Sequence, residues 1–127
     1  MKKTVLFTLF MMVFGVVFAQ KAPQIKFAQQ SHDFGTFSES KKTVSTTFTF
    51  KNTGKAPLVI NRVVASCGCT TPEWSKEPIA PGGSGFVKAT YNAIGRPGAF
   101  NKTITVFTNS PEGSVPLTIK GVVQPNK

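Results

Sequence analysis

Cys67-Gly68-Cys69 is the one stretch in which spacing alone forces two reactive side chains together. They are the only cysteines of the chain, set between the apolar run Val63-Val64-Ala65 and Thr70-Thr71-Pro72. Three chemistries fit two thiols placed this way. A disulfide wants Cα atoms about 4.4–6.8 Å apart, whereas residues two apart in an extended chain reach about 7 Å. The chain must therefore bend at the middle residue, and Gly68 is expected to supply that bend cheaply. A ring this small removes little freedom from the unfolded chain and so stabilises little. A strained local disulfide is also easier to reduce than a structural one. As thiolates the pair would instead suit Cu(I), a soft ion content with two sulfur ligands. As packed thiols they would be small hydrophobes at a strand-end turn.

Other chemistry is poorly supplied. A structural zinc site usually wants four ligands. All three methionines fall within residues 1–12, which leaves Cys67, Cys69 and His32 as the usual sulfur and nitrogen donors. No metal or cofactor is expected, with copper on Cys67 and Cys69 as the alternative. His32 is the sole histidine and stands beside Asp33, a pattern of turns and surfaces more than of a catalytic base. The five acids are scattered, so no acid–base pair can be placed. There is no Gly-x-Ser-x-Gly elbow, and Gly82-Gly83-Ser84-Gly85 precedes a strand pattern rather than the helix a phosphate loop needs. The expectation is a protein that is not an enzyme. Trp74, near Pro72 and Pro78, reads as a partial core plug over the Cys turn or as an exposed aromatic for a partner.

The N-terminus sets the compartment. Lys2 and Lys3 precede an apolar run from Val5 to Val17, and Ala19 follows as a small residue at a cleavage position. Residues 1–19 therefore read as a secretory signal peptide. The run is short for a membrane span of roughly 20 residues, so a retained anchor is the weaker reading. Cleavage leaves residues 20–127 as a single domain of common size, exported to the periplasm or beyond and without a membrane span. Loss of Lys2 and Lys3 lowers the formal charge from +10 to +8. Lysines spread along the chain favour solubility and anionic surfaces such as polysaccharide or phospholipid. They form no basic cluster, and nucleic acid is not expected as a partner.

The elements that must hold the Cys pair read as β throughout. Thr43–Lys51 alternates, with Val44, Thr46, Phe48 and Phe50 on one face and Thr43, Ser45, Thr47, Thr49 and Lys51 on the other. Asn52-Thr53-Gly54 breaks the run. Leu58–Val64 is apolar on both faces apart from Asn61 and Arg62, which predicts a strand in the middle of a sheet. Gly85–Tyr91 turns Val87, Ala89 and Tyr91 inward, Lys102–Thr108 adds Ile104 and Val106, and Val115–Val123 adds Leu117, Ile119 and Val123. An edge strand is expected at Gln24–Phe27, then a bent segment at His32-Asp33-Phe34-Gly35 with Phe34 in the core. Pro116, lacking a donor, suits the start or edge of its strand. No segment carries helical periodicity. About seven short strands in one domain predict an all-β, immunoglobulin-like sandwich. It lacks the antibody pattern, because cysteines two apart cannot bridge its sheets.

A family resemblance runs through these pieces. His32-Asp33-Phe34-Gly35, Phe50-Lys51-Asn52-Thr53-Gly54, Pro57-Leu58-Val59-Ile60 and Ser66-Cys67-Gly68-Cys69-Thr70 recur with Ile79-Ala80-Pro81-Gly82, Lys102-Thr103-Ile104-Thr105-Val106 and Leu117-Thr118-Ile119-Lys120-Gly121. Together they resemble the exported bacterial domain-of-unknown-function family 1573, over roughly residues 24–124. Its domains are similar in architecture to those of major sperm protein and hydin. The resemblance implies fold and export and brings no activity. Two functions follow as expectations. The first is a monomeric binding or structural module of the cell envelope, partnered by another envelope protein or a surface component. The alternative is a thiol-redox or Cu(I)-handling protein acting through Cys67 and Cys69.

Overall fold

Eight strands carry residues 21–126, the part of the chain that the computed structural model describes. They are β1 (Ile25–Phe27), β2 (Ser31–Ser38), β3 (Thr43–Asn52), β4 (Ile60–Ala65), β5 (Thr70–Trp74), β6 (Ser84–Asn92), β7 (Gly98–Thr108) and β8 (Ser114–Gln124), with one 3-10 turn at Glu39–Lys41. The leader read at residues 1–19 lies outside the described residues. Among the described residues, no helix is long and apolar enough to cross a membrane.

The strands form two four-stranded sheets, ordered β1-β3-β6-β5 and β2-β8-β7-β4. All pairings are antiparallel except β2 with β8, which is parallel. The sandwich is thus immunoglobulin-like, with eight strands where about seven were expected. Period-two patterning fixes its core. Phe48 and Phe50 of β3, Val87, Ala89 and Tyr91 of β6, Ile104 and Val106 of β7, and Leu117, Ile119 and Val123 of β8 are all buried. No buried side-chain nitrogen or oxygen among the described residues lacks a hydrogen-bond partner.

Three expectations change. β4 is an edge strand and not a central one. The apolar pattern that suggested otherwise begins at Leu58, which lies before the strand and forms a separate bridge to Ile79 that caps the core. On β4 itself Asn61, Arg62 and Val64 face solvent. The segment at His32–Gly35 is part of strand β2, bulged between Asp33 and Thr36, and Phe37 rather than Phe34 is the fully buried ring. Gly35 takes a left-handed φ of 70° there, which a residue with a Cβ adopts only with strain. Finally, β5 is a strand where the sequence pattern predicted none. Its alternation is broken by Pro72, which an edge strand tolerates because a missing N–H on its open side interrupts no ladder.

Pro116 sits near the start of β8, paired with Thr105 of β7, before β2 joins at Thr118. Its lack of a donor is accommodated on the still unpaired side of the strand.

Candidate functional site

β4 and β5 belong to different sheets but lie on the same side of the sandwich, and Ser66–Cys69 carries the chain from one to the other. The Ser66 N–H reaches the Thr103 carbonyl of β7 at 2.9 Å, and the Asn92 N–H reaches the Cys69 carbonyl at 2.8 Å. The Cys turn is therefore pinned to β7 on one sheet and to the end of β6 on the other. Within it, the Cys69 N–H points at Cys67 Sγ, 3.3 Å away. The Cα atoms of Cys67 and Cys69 stand 5.3 Å apart, and their sulfurs are joined. That separation falls inside the range a disulfide requires.

Gly68 does less than its position suggested. Its φ is not left-handed, and a Cβ built on it would meet nothing within 4 Å. The bend comes from the two pinned flanks, not from glycine's conformational freedom. Gly68→Ala is accordingly expected to leave the stability unchanged within about 0.5 kcal/mol, the ordinary range for an open surface position. A calorimetric melt checks this, and a loss well above that figure would return the bend to Gly68.

The two sulfurs differ in access. Cys69 is 5% exposed and packs in the core, whereas Cys67 is half-buried at its margin. Both line an open depression of about 340 Å³, with Tyr91, Arg96, Pro97, Phe100 and Lys102. Tyr91 and Phe100 come from opposite sheets and stack at 3.8 Å between ring centroids, 11° from parallel. This stack forms an aromatic floor at the mouth between the sheets. Burial raises the Tyr91 hydroxyl above its ordinary pKa, against an opposing pull from the Arg96 charge. The β6–β7 loop that bears Arg96 is tied back by Glu39, whose carboxylate accepts from the Gly95 N–H at 2.6 Å and the Asn126 N–H at 3.3 Å.

Sequence reasoning had placed Tyr91 in the core but had not joined it, Arg96, Phe100 or Lys102 to the cysteines. Those residues lie 22 or more positions from Cys69, and β-pairing alone brings them back. The one available signal was Tyr91, the sole tyrosine of the chain, set in the strand that follows the Cys turn and Trp74.

His32 does not join the site. It pairs with Ile119, which pairs on its other side with Lys102, so His32 sits roughly three strand spacings, or ~14 Å, from the Cys turn. Its ring packs edge-on against Phe34 at 4.6 Å. Among the described residues no three His, Cys, Asp or Glu side chains converge on a metal position. The donors present at the turn are two sulfurs, a set that fits Cu(I) in reduced protein and does not fit zinc. Trp74 is half-buried at the end of β5, packed on the core, with the Lys76 ammonium 3.1 Å from its ring centroid. It plugs the core away from the depression and does not line it.

A family profile described as a protein of unknown function, DUF1573, matches residues 25–123 and so spans the entire sandwich. The chain belongs to the DUF1573 family. Among solved structures, this DUF1573 chain is similar to a protein of unknown function from Porphyromonas gingivalis W83, with a TM-score of 0.70 and 17% identity. That alignment covers 87% of this chain and 51% of that one, so the chain spans about half the length of its relative. It is also similar to PapD-like domain 7 of human CEP192, with a TM-score of 0.67, 9% identity and coverage of 84% and 89%. The YadV chaperone aligns with a TM-score of 0.52, 16% identity and coverage of 81% and 52%. At these identities the likenesses establish a PapD-like, immunoglobulin-like fold. No curated protein matches the chain.

Proposed function

We propose that this DUF1573 chain is an exported module of the cell envelope that binds its partner at the end of the sandwich carrying the Cys turn. The observation that carries the reading is the depression there. An aromatic stack forms its floor, Arg96 and Lys102 give it positive charge, and Ile94, 53% exposed, stands on the adjoining loop. Concave sites with an apolar floor and a few placed charges are the usual form of a recognition site, and loops on a rigid sandwich commonly carry them. The chaperone among the fold neighbours makes a polypeptide the first partner to test, ahead of envelope polysaccharide or phospholipid.

The edges support a monomer. β1 is three residues long, β5 carries Pro72 and Glu73, β4 is bulged between Ile60 and Arg62, and β2 is bulged at Gly35. Short, charged, proline-bearing and bulged edges discourage strand-to-strand association. The reading is tested by adding a soluble envelope extract to isotope-labelled, oxidised protein beginning at Gln20 and following its amide resonances. Shifts confined to residues 66–69, 93–97 and 99–102 are expected, and an Arg96→Glu variant should abolish them. Shifts confined to the opposite end, around residues 52–57 and 109–113, would overturn the reading. Full-length mass for protein recovered from the native host would refute cleavage after Ala19 and favour a retained N-terminal anchor.

Copper handling is the second reading, favoured by the two sulfurs that converge on the same depression. It predicts that reduced protein binds one Cu(I) and that Cys69→Ser does not.

A further inference from the structure

The cysteine pair has no evident structural duty, since both flanks of its turn are held by backbone hydrogen bonds to Thr103 and Asn92. Its sulfurs nevertheless open on a positively charged depression. From the unequal burial of the two sulfurs and the charges beside them, we infer that Cys67–Cys69 is a thiol–disulfide exchange centre for acidic thiol or dithiol partners, entered at Cys67. The inference deepens the binding reading above, because it names the chemical class of partner that the depression serves.

Exchange requires a thiolate to approach one sulfur in line with the bond while the other leaves. Cys67 is half-buried at the mouth, whereas Cys69, 5% exposed, offers far less surface to an incoming thiolate. A partner thiolate therefore attacks Cys67 Sγ. The Cys67–Cys69 bond breaks, a mixed disulfide forms between the partner and Cys67, and the bond's electron pair leaves on Cys69 Sγ. Thr70 Oγ1 lies 3.8 Å from that sulfur. A disulfide sulfur has no proton to give, so the hydroxyl is the donor and is placed to stabilise the departing thiolate. Cys69 then takes a proton from water. A second thiolate of the partner attacks the partner's own sulfur in the mixed disulfide and releases Cys67, which is held by the Cys69 N–H before it is protonated. The partner dithiol is oxidised to a disulfide by two electrons, and Cys67 and Cys69 are reduced to two thiols.

Arg96 and Lys102 set the selectivity. Both line the depression that a partner must enter, and the Glu39 carboxylate, which reaches the same loop, accepts from the Gly95 and Asn126 N–H groups. Attack brings a thiolate, and an acidic partner brings further negative charge. Two cations at the entrance raise the encounter rate for such partners, an effect that salt screens.

The test reduces the oxidised protein at low salt with two small thiols of opposite charge, mercaptoethanesulfonate and cysteamine, and reads the rates by mass after alkylation. The preference for the sulfonate should fall roughly tenfold in Arg96→Gln/Lys102→Gln, with an unchanged melting midpoint, and should fall likewise on adding salt. Thr70→Val, which keeps the shape and removes the hydroxyl, should slow reduction several-fold by either thiol. Single-cysteine variants identify the entry sulfur. With the sulfonate's disulfide as reagent, Cys67 in Cys69→Ser should form the mixed adduct at least ten times faster than Cys69 in Cys67→Ser. An intact protein that resists both thiols, a charge preference unchanged in the double variant, or equal reactivity of the two cysteines would each overturn the inference. Alkylating the extract's thiols before the amide mapping above decides binding at this end independently of whether exchange occurs.

Discussion

Asn52→Ala is expected to destabilise the domain by on the order of 3–5 kcal/mol, a loss that comes from unpaired backbone more than from the missing side chain. Asn52 closes β3 and is wholly buried. Its Oδ1 accepts from the Gly54 N–H at 2.9 Å and the Gln24 N–H at 3.3 Å. Its Nδ2 donates to the carbonyls of Ala56 at 2.7 Å and Ile79 at 2.9 Å. One side chain thus fastens the segment before β1, the turn after β3 and the bridge at Ile79. Truncation strands three polar groups, the Gly54 and Gln24 N–H and the Ala56 carbonyl, while the Ile79 carbonyl keeps the Leu58 N–H. Each group left unsatisfied costs about 1–3 kcal/mol. Gly54 belongs to the same lock, since a Cβ there would collide with the backbone of Ala22, Pro23 and Gln24.

Asn52→Asp separates the two halves of this hub. It keeps both acceptor bonds and turns an oxygen toward two carbonyls. Ionisation there is opposed by burial and by those carbonyls, so the new carboxyl should titrate above its unfolded value of about 3.9 when folded. With the folded value raised, the variant is at its most stable below that unfolded value and loses stability as the pH rises through the folded one. Urea midpoints for both variants, with the Asp series run from pH 3 to pH 7, check the direction. A pH-independent Asp variant or a loss under 1 kcal/mol for Ala would refute the hub.

The second large effect ranks the core against the cysteines. Phe50→Ala should cost on the order of 3–5 kcal/mol, a large part of the typical total of about 5–15. Phe50 is 2% exposed, meets Phe27 edge-on at 5.3 Å and packs across the sheet on Gly85. A Cβ at Gly85 would stand 2.5 Å from the Phe50 ring, so the glycine exists to seat the phenylalanine. The ring has no substitute filler, and its removal leaves a cavity. The double variant Cys67→Ser/Cys69→Ser removes a closure spanning three residues, whose restraint on the unfolded chain is small. It also leaves the turn's hydrogen bonds to Thr103 and Asn92 intact. Thermal melts of the two variants should show the Phe50 loss exceeding the cysteine loss severalfold. The reverse order would make the disulfide a staple of the fold.

Which face of each long strand turns inward is legible from local pattern. In β3, β6, β7 and β8 most inward positions are apolar at every second residue, and such alternation is decided locally, because successive side chains of a strand point to opposite sides. Phe48, Phe50, Val87, Ala89, Tyr91, Ile104, Val106, Leu117, Ile119 and Val123 were readable as buried for that reason. So was the break at Asn52–Gly54, where backbone chemistry interrupts the pattern.

Tertiary structure alone decided which strands are neighbours, and with it the site. The apolar stretch at Leu58–Val64 is divided between a core-capping bridge and an edge strand, a division that depends on where Ile79 and Phe107 end up rather than on local pattern. β5 was illegible because Pro72 breaks its alternation, and only an edge position, unknown in advance, lets a strand accept it. The Cys pair announced itself through spacing, but its surroundings could not. Arg96, Phe100 and Lys102 reach Cys67 and Cys69 because β7 runs between β8 and β4 and faces β6 across the core. Such pairing is long-range, chosen by burial of both inner faces at once, and no window of sequence around Cys67 contains it.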